Sequence, residues 1–111
     1  MKIGYFCNST NWGNKKSYYQ ILEEVREIAK YCDENSWDSM WFTEHHFSHE
    51  GMEICPNPLM LSTDIAARTK NIRIGQAASI ITFWNPIRVA EDIAMLDQLS
   101  NGRVEAGIGR G

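Results

Sequence analysis

Apolar residues along this chain follow two alternating rhythms. Four short runs, KIGYFC at 2–7, DSMWF at 38–42, IRIGQAAS at 72–79 and RVEAGIG at 103–109, carry the β-branched, aromatic and small residues of buried strands. Helical spacing fills the intervals. In the first interval Ile21, Leu22, Val25, Ile28, Ala29 and Cys32 share one stripe, while Glu23, Glu24, Glu27 and Lys30 face away. Leu61 and Ile65 supply the buried face of a second helix, and Val89, Ile93 and Leu96 that of a third.

Each helix has a start signal. Ser17 followed by Gln20 forms a capping box, in which each side chain meets the backbone N–H of the other residue. Asn57-Pro58 and Asn85-Pro86 place an amide acceptor at the N-cap and a proline at the first helical position. The third helix stops at Ser100-Asn101-Gly102, where Asn101 or Gly102 can take the left-handed conformation of a C-cap.

The order is therefore β1α1β2α2β3α3β4, an α/β arrangement with parallel strands. Such a succession either curls toward a (β/α)8 TIM barrel or lies as a small open sheet. A complete barrel takes about 250 residues, so on the barrel alternative a chain of 111 residues would be close to the first half of one. Residues 1–111 form a single partial domain, and the expectation is an amino-terminal fragment or truncated reading frame with open edges at its first and last strands. Open edges invite self-association, so a dimer or a pairing with another chain is expected.

Composition narrows the setting. Hydrophobic residues make up 43% and charged residues 23% of the chain, as in ordinary globular domains, and the net charge is −3. No basic stripe offers a footprint for nucleic acid. No apolar run approaches the ~20 residues that span a bilayer. A cytoplasmic location is the expectation, consistent with Cys7, Cys32 and Cys55 being odd in number and without a CxxC pair.

In parallel α/β folds the working groups gather past the carboxyl ends of the strands, and the unusual residues of this chain fall there. After the second strand come Thr43-Glu44-His45-His46-Phe47, with His49, Glu50, Glu53 and Cys55 close behind. A metal site is not expected, because His45 and His46 are adjacent and no HExxH-type spacing is present. An acid/base or polarising role for one imidazole competes with a plain hydrogen-bonding role. The glycine-rich GIGRG is weak as a phosphate cradle, which needs a following helix N-terminus, and Gly107 and Gly109 more simply let something flat and large approach the backbone. Trp12, Trp41, Phe42, Phe83 and Trp84 suit an apolar ligand or, for Trp41 and Phe42, ordinary packing. The small pair Ala77-Ala78 reads as clearance for a ligand or as tight packing.

These motifs, WFTEHHF, the segment NPIRVAEDIAMLDQLSNGR and the closing GIGRG, together resemble the amino-terminal half of the bacterial luciferase-like, flavin-dependent monooxygenases, across essentially the whole chain. The resemblance implies a (β/α)8 barrel that binds reduced FMN, or in some branches F420, at the strand carboxyl ends. It implies that the flavin activates O2 to oxygenate a small organic substrate. His45 matches the family histidine that serves this flavin-oxygen chemistry, and Glu44 is its neighbour at the mouth of the site. Ala77-Ala78 matches the pair on which the flavin ring lies, where luciferase has a non-proline cis peptide. Gly107 and Gly109 match the strand beside the ring, with a glycine at 109 where luciferase has cysteine.

Overall fold

The computed structural model describes all 111 residues, Met1–Gly111. In chain order the elements are β1 (Gly4–Cys7), α1 (Tyr18–Glu34), β2 (Ser39–Phe42), α2 (Pro58–Arg68), β3 (Arg73–Gln76), β4 (Ser79–Ile80), α3 (Pro86–Ser100), β5 (Val104–Glu105) and β6 (Ile108–Gly109). The main sheet is parallel with the order β1-β2-β3-β5, and β4 pairs in parallel with β6 beyond it. No helix is long and apolar enough to cross a membrane.

Two of the expected strands are each broken in two. The 72–79 run is interrupted at Ala77-Ala78, whose peptide bond is cis. The 103–109 run is interrupted at Ala106-Gly107. The interruptions face each other: Ser79 N–H donates to the Gly107 carbonyl at 2.9 Å, and a Cβ on Gly107 would lie 1.9 Å from the Gln76 carbonyl oxygen. Two main chains meet here with no room for a side chain, so neither ladder continues straight through.

The helix starts follow the sequence reading. Ser17 and Gln20 make both bonds of the capping box, and Asn57 and Asn85 accept from the N–H groups of Met60 and Ile87. Asn101, at φ 57°, is the left-handed cap of α3, and Gly102 follows at φ 76°.

Parallel register makes the two sheet faces unlike. Tyr5, Met40, Ile74 and Val104 stand side by side and meet the helices. Met40, Phe42 and Ile74 pack with Ile21, Val25, Ala29 and Cys32 of α1, Leu61, Ile65 and Ala66 of α2, and Leu96 of α3. Each of the Met, Phe, Ile, Val and Leu side chains among these, fully buried, contributes about 1.5–3 kcal/mol from lost apolar surface. The other face carries Phe6, Trp41, Gly75 and Glu105 in register. No helix covers it, and Phe6 is 58% exposed. Trp41 lies flat across Gly75, where a Cβ would come within 2.3 Å of the indole. Phe42 is thus core, whereas Trp41 belongs to the open face.

The amino end of the sheet is tied by polar groups. Asp33, in the last turn of α1, accepts from the N–H groups of Lys70, Asn71 and Ile72 at 2.7–2.8 Å. Arg103 donates to the carbonyls of Ala66, Thr69, Ile72 and Ser100 and to the Thr69 hydroxyl. Burial pushes the Asp33 carboxyl up, but the three N–H groups and the Arg103 charge outweigh it and hold the group below its ordinary value. A depressed carboxyl stabilises the fold above its unfolded pKa, about 3.9. That stability is lost as pH falls through the lower folded value. Asp33→Ala is therefore expected to cost roughly 1–2 kcal/mol at neutral pH and to flatten the loss of stability below about pH 4, both read from urea denaturation at several pH values. Gly107→Ala should cost more than about 2 kcal/mol because backbone must move, while Gly109→Ala, with Ala78 Cβ 3.1 Å from the new atom, should cost less; thermal melts of the two variants give the order.

Candidate functional site

At the carboxyl end of β2 the chain leaves the core through Thr43 and Glu44. Glu44 is a carboxylate with no solvent exposure of its side chain. Its Oε1 accepts from the indole N–H of Trp84 at 2.9 Å and pairs with Nε2 of His46 at 2.8 Å. Its Oε2 accepts from the backbone N–H of Ile80 at 2.8 Å. A buried carboxylate is tolerated only when its lone pairs are met in this way. Glu44 therefore lies beneath the rim and not at its mouth, tying β2 to the segment that follows the cis peptide. The His46 ring is further held edge-on against Phe83, with centroids 4.8 Å apart.

His45 points elsewhere, as adjacent residues of an extended chain do. The loop after it doubles back: Gly51 N–H donates to the Ser48 carbonyl, Met52 N–H to the Ser48 hydroxyl, and His45 N–H to the Cys55 carbonyl at 2.8 Å. This return brings Glu53 opposite His45, with Oε2 2.9 Å from Nε2. The His45 side chain remains 38% exposed, so its ring can meet a solvent-borne partner. The two histidines thus have separate carboxylates. No group of three His, Cys, Asp or Glu residues is arranged to hold a metal ion.

The loop after β1 is fastened to the same hairpin. Asn11 N–H donates to the Gly51 carbonyl at 2.6 Å, Gly13 N–H to the Glu50 carbonyl at 2.9 Å, and the Asn14 amide to the His49 carbonyl at 2.6 Å. Gly51 has φ 71°, and a Cβ there would sit 2.1 Å from the Asn11 carbonyl oxygen. Only glycine fits this contact.

Below these loops four buried polar atoms have no protein partner: Asn8 Oδ1, Thr43 Oγ1, Gln76 Oε1 and Ser79 Oγ. Asn8 and Thr43 directly follow β1 and β2, Gln76 ends β3 and Ser79 begins β4, so all four lie at the carboxyl end of the sheet. Ala77 is exposed and Ala78 half-buried beside them. Gly107 and Gly109 lie across from this pair, but the space beside Gly107 is taken by the Gln76 carbonyl and that beside Gly109 partly by Ala78. Gly107 therefore admits the neighbouring main chain itself, whereas Gly109 faces the Ala78 side chain. Trp12 and Phe83 stand exposed on the rim. All three cysteines are free and buried. Burial, reinforced by the nearby Cys7 and Glu44, pushes the Cys55 thiol up to about 12, which leaves it protonated and unreactive.

Neither the role of Trp84 as a donor to Glu44 nor that of Glu53 as the partner of His45 is visible in the local pattern. The first joins residues 40 apart, and the second depends on the hairpin, for which Gly51 is the single local signal. Replacement of Glu44 by Gln sets an amide N–H₂ against a buried donor. Glu44→Gln should destabilise the fold by about 2 kcal/mol and perturb the fluorescence of Trp84, measured together in one denaturation series.

Comparison with known proteins matches this geometry to a family. The luciferase-like monooxygenase family model covers residues 1–111. The oxygenase component of a flavin-dependent trigonelline monooxygenase from Acinetobacter baylyi is 32% identical over all of this chain and 30% of its own length. The alkanal monooxygenase beta chain of Vibrio harveyi is 36% identical over 96% of this chain and 32% of its own. Among solved structures, the oxygenating constituent of the type II Baeyer–Villiger enzyme 3,6-diketocamphane monooxygenase from Pseudomonas putida, in complex with FMN, superposes with a TM-score of 0.93 at 30% identity, over 100% of this chain and 30% of that one. An F420-dependent secondary alcohol dehydrogenase shares the fold, with a TM-score of 0.76 at 22% identity. The chain spans about a third of the length of these relatives, and its parallel α/β arc corresponds to the opening part of their TIM barrels. By sequence over its full length and by the arrangement of its strands, the chain belongs to the luciferase-like monooxygenase family.

Proposed function

We propose that this chain forms the amino-terminal part of a flavin-dependent monooxygenase site that oxygenates a small organic substrate with O2. The observation that carries the reading is the concentration at one end of the sheet of two histidine–carboxylate pairs and of buried, unpartnered polar atoms on Asn8, Thr43 and Ser79. A flavin ring system has an apolar benzenoid edge and a hydrogen-bonding pyrimidine edge, and needs both kinds of surface. The residues present fit that need. Thr43 Oγ1 and Ser79 Oγ can donate as well as accept, Ala77 and Ala78 leave the strand end low, and Phe83 and Trp12 line the rim. Reduced FMN is the favoured cofactor over F420, because a relative at 30% identity holds FMN whereas the F420-dependent neighbours resemble this chain at 21–22%.

When bound, reduced flavin supplies the electrons that activate O2. The protein's part is local. Ala77 and Ala78 offer a flat seat. Glu44 holds the 80–84 segment and His46 in place from below, so the seat does not shift when a ligand arrives. His45, partly exposed and within ion-pair distance of Glu53, holds or moves a proton at its ring. Aromatic side chains at the rim limit water around the reacting atoms.

A second reading draws support from the uncovered sheet face and from β1 and β5, whose outer edges have no partner strand. On that reading the chain is a non-catalytic half-barrel that closes its edges against a second copy or another chain. Size-exclusion chromatography combined with FMN titration separates the two. Saturable quenching of FMN fluorescence, weaker for F420, supports the flavin site. A discrete dimer without flavin binding favours the structural role and overturns the first reading. In a flavin-loaded, turning-over assembly, His45→Ala should lower oxygenation by about 100-fold with the circular dichroism unchanged. Undiminished turnover would remove His45 from the acid/base role.

A further inference from the structure

A fully buried side chain is ordinarily apolar, so a glutamate with no solvent exposure of its side chain needs a reason. Two groups that can only donate are aimed at Glu44. The Trp84 indole N–H meets Oε1 at 2.9 Å, and the Ile80 backbone N–H meets Oε2 at 2.8 Å. Both come from the 80–84 segment. The remaining partner is the ring of His46, whose Nε2 makes a hydrogen bond of 2.8 Å to Oε1. This bond leads outward from the core, because the His46 side chain is 25% exposed.

An ionised carboxylate has lone pairs and no proton to give. The proton of the Oε1–Nε2 bond therefore belongs to the ring, and a neutral His46 so bonded keeps Nδ1 as a bare lone pair. Nδ1 takes no partner within the protein, and it is not among the polar atoms sealed from solvent. Turning the ring over would set a C–H against the buried Oε1, so the same bond selects the ring's orientation. Phe83 packs edge-on against the ring, with centroids 4.8 Å apart, and supports it from a second direction. A carboxylate orients an imidazole in this way in other acid/base and metal sites.

We propose that Glu44 is a positioning residue for His46: it fixes the Nε2–H tautomer and leaves Nδ1 as an acceptor open at the rim, where it takes a hydrogen bond or a proton from an N–H or O–H group of the ligand. Glu44 itself does not meet that ligand. Its effect passes through the orientation and protonation site of the ring. The inference deepens the flavin reading and takes from it the presence of a ligand at the rim, but the tautomer is a property of this chain alone. His46 thereby joins His45 as a second imidazole of the site. Because His46 and Trp84 share Oε1, the ring is also set relative to the 80–84 segment that follows Ala77-Ala78.

The test uses the 111-residue chain with ¹⁵N-labelled histidine, without cofactor, at alkaline pH where imidazole is neutral. Long-range ¹H–¹⁵N correlation distinguishes a protonated from a bare ring nitrogen, and the His46 signals are the set that disappears in His46→Gln. The expected wild-type spectrum shows His46 as a single Nε2–H tautomer, while His49, 91% exposed, gives the averaged pattern of a free imidazole. Trp84→Phe removes the other donor on Oε1 and should leave the single state in place, because the carboxylate sets it. Glu44→Ala should lose it and give His46 the averaged pattern. Circular dichroism shows whether each variant is folded, and the wild-type spectrum decides the question where Glu44→Ala is not. A wild-type His46 that is averaged or predominantly Nδ1–H overturns the proposal without recourse to any variant. So does a folded Glu44→Ala whose His46 signals match wild type, or a folded Trp84→Phe that loses the single state. Titrated FMN should move the Nδ1 resonance toward that of a hydrogen-bonded acceptor, and binding that leaves it unmoved overturns the acceptor role. Failure of FMN to bind would instead overturn the flavin reading and leave the tautomer spectra unaffected.

Discussion

A four-stranded parallel sheet buried on one face is the constraint on which everything else here rests. Parallel strands cannot be joined by tight turns, so each must be followed by a crossover helix, and these helices need apolar faces against Met40, Phe42 and Ile74. The helices then occupy one side only. Polar and aromatic residues on the other side, and at the strand ends, are released from the duty of packing against helices. This is why Phe6 and Trp41 can stand on an open face, and why histidines and carboxylates can collect after β2 without weakening the core.

The two ends of this sheet solve opposite problems. At the amino end, Asp33 and Arg103 spend their charge on backbone groups of the α2–β3 connection, and no chemistry is left over. At the carboxyl end the backbone partners are fewer, and four polar atoms remain unmet. Glu44 stands between the two styles. It is fully satisfied like Asp33, but what it satisfies includes His46 and the indole of Trp84, side chains of the rim. Rigidity is thus delivered directly beneath the place where a ligand would sit.

How much of this was legible beforehand follows from the range of the interactions involved. Capping at Ser17, Asn57 and Asn85 is local, within three residues, and the sequence pattern identified all three. The helix stripes were equally plain, because burial repeats every 3.6 residues. The breaks at Ala77-Ala78 and at Ala106-Gly107 were not, since two continuous strand-like runs conceal a meeting of main chains 31 residues apart. Nor could the spacing separate Glu44 from Glu53. Both are acids near histidines, and which is sealed beneath Trp84 and which is raised on a hairpin is decided by a turn at Gly51 and a partner at residue 84. The resemblance to luciferase-like enzymes supplied the family and the place of Ala77-Ala78. Gly107, read as clearance for a ligand, is also where the Gln76 main chain comes close, a meeting that no local pattern shows.

The contact between Asn11 and Gly51 has a bearing on how such a scaffold could be altered. Because the first two rim loops share main-chain hydrogen bonds at a position that accepts no Cβ, residues 8–16 and 43–56 behave as a single interchangeable unit. Redesign of the pocket by loop exchange would have to transplant both segments from the same donor, and a library that randomised one while fixing the other would sample mostly mismatched halves.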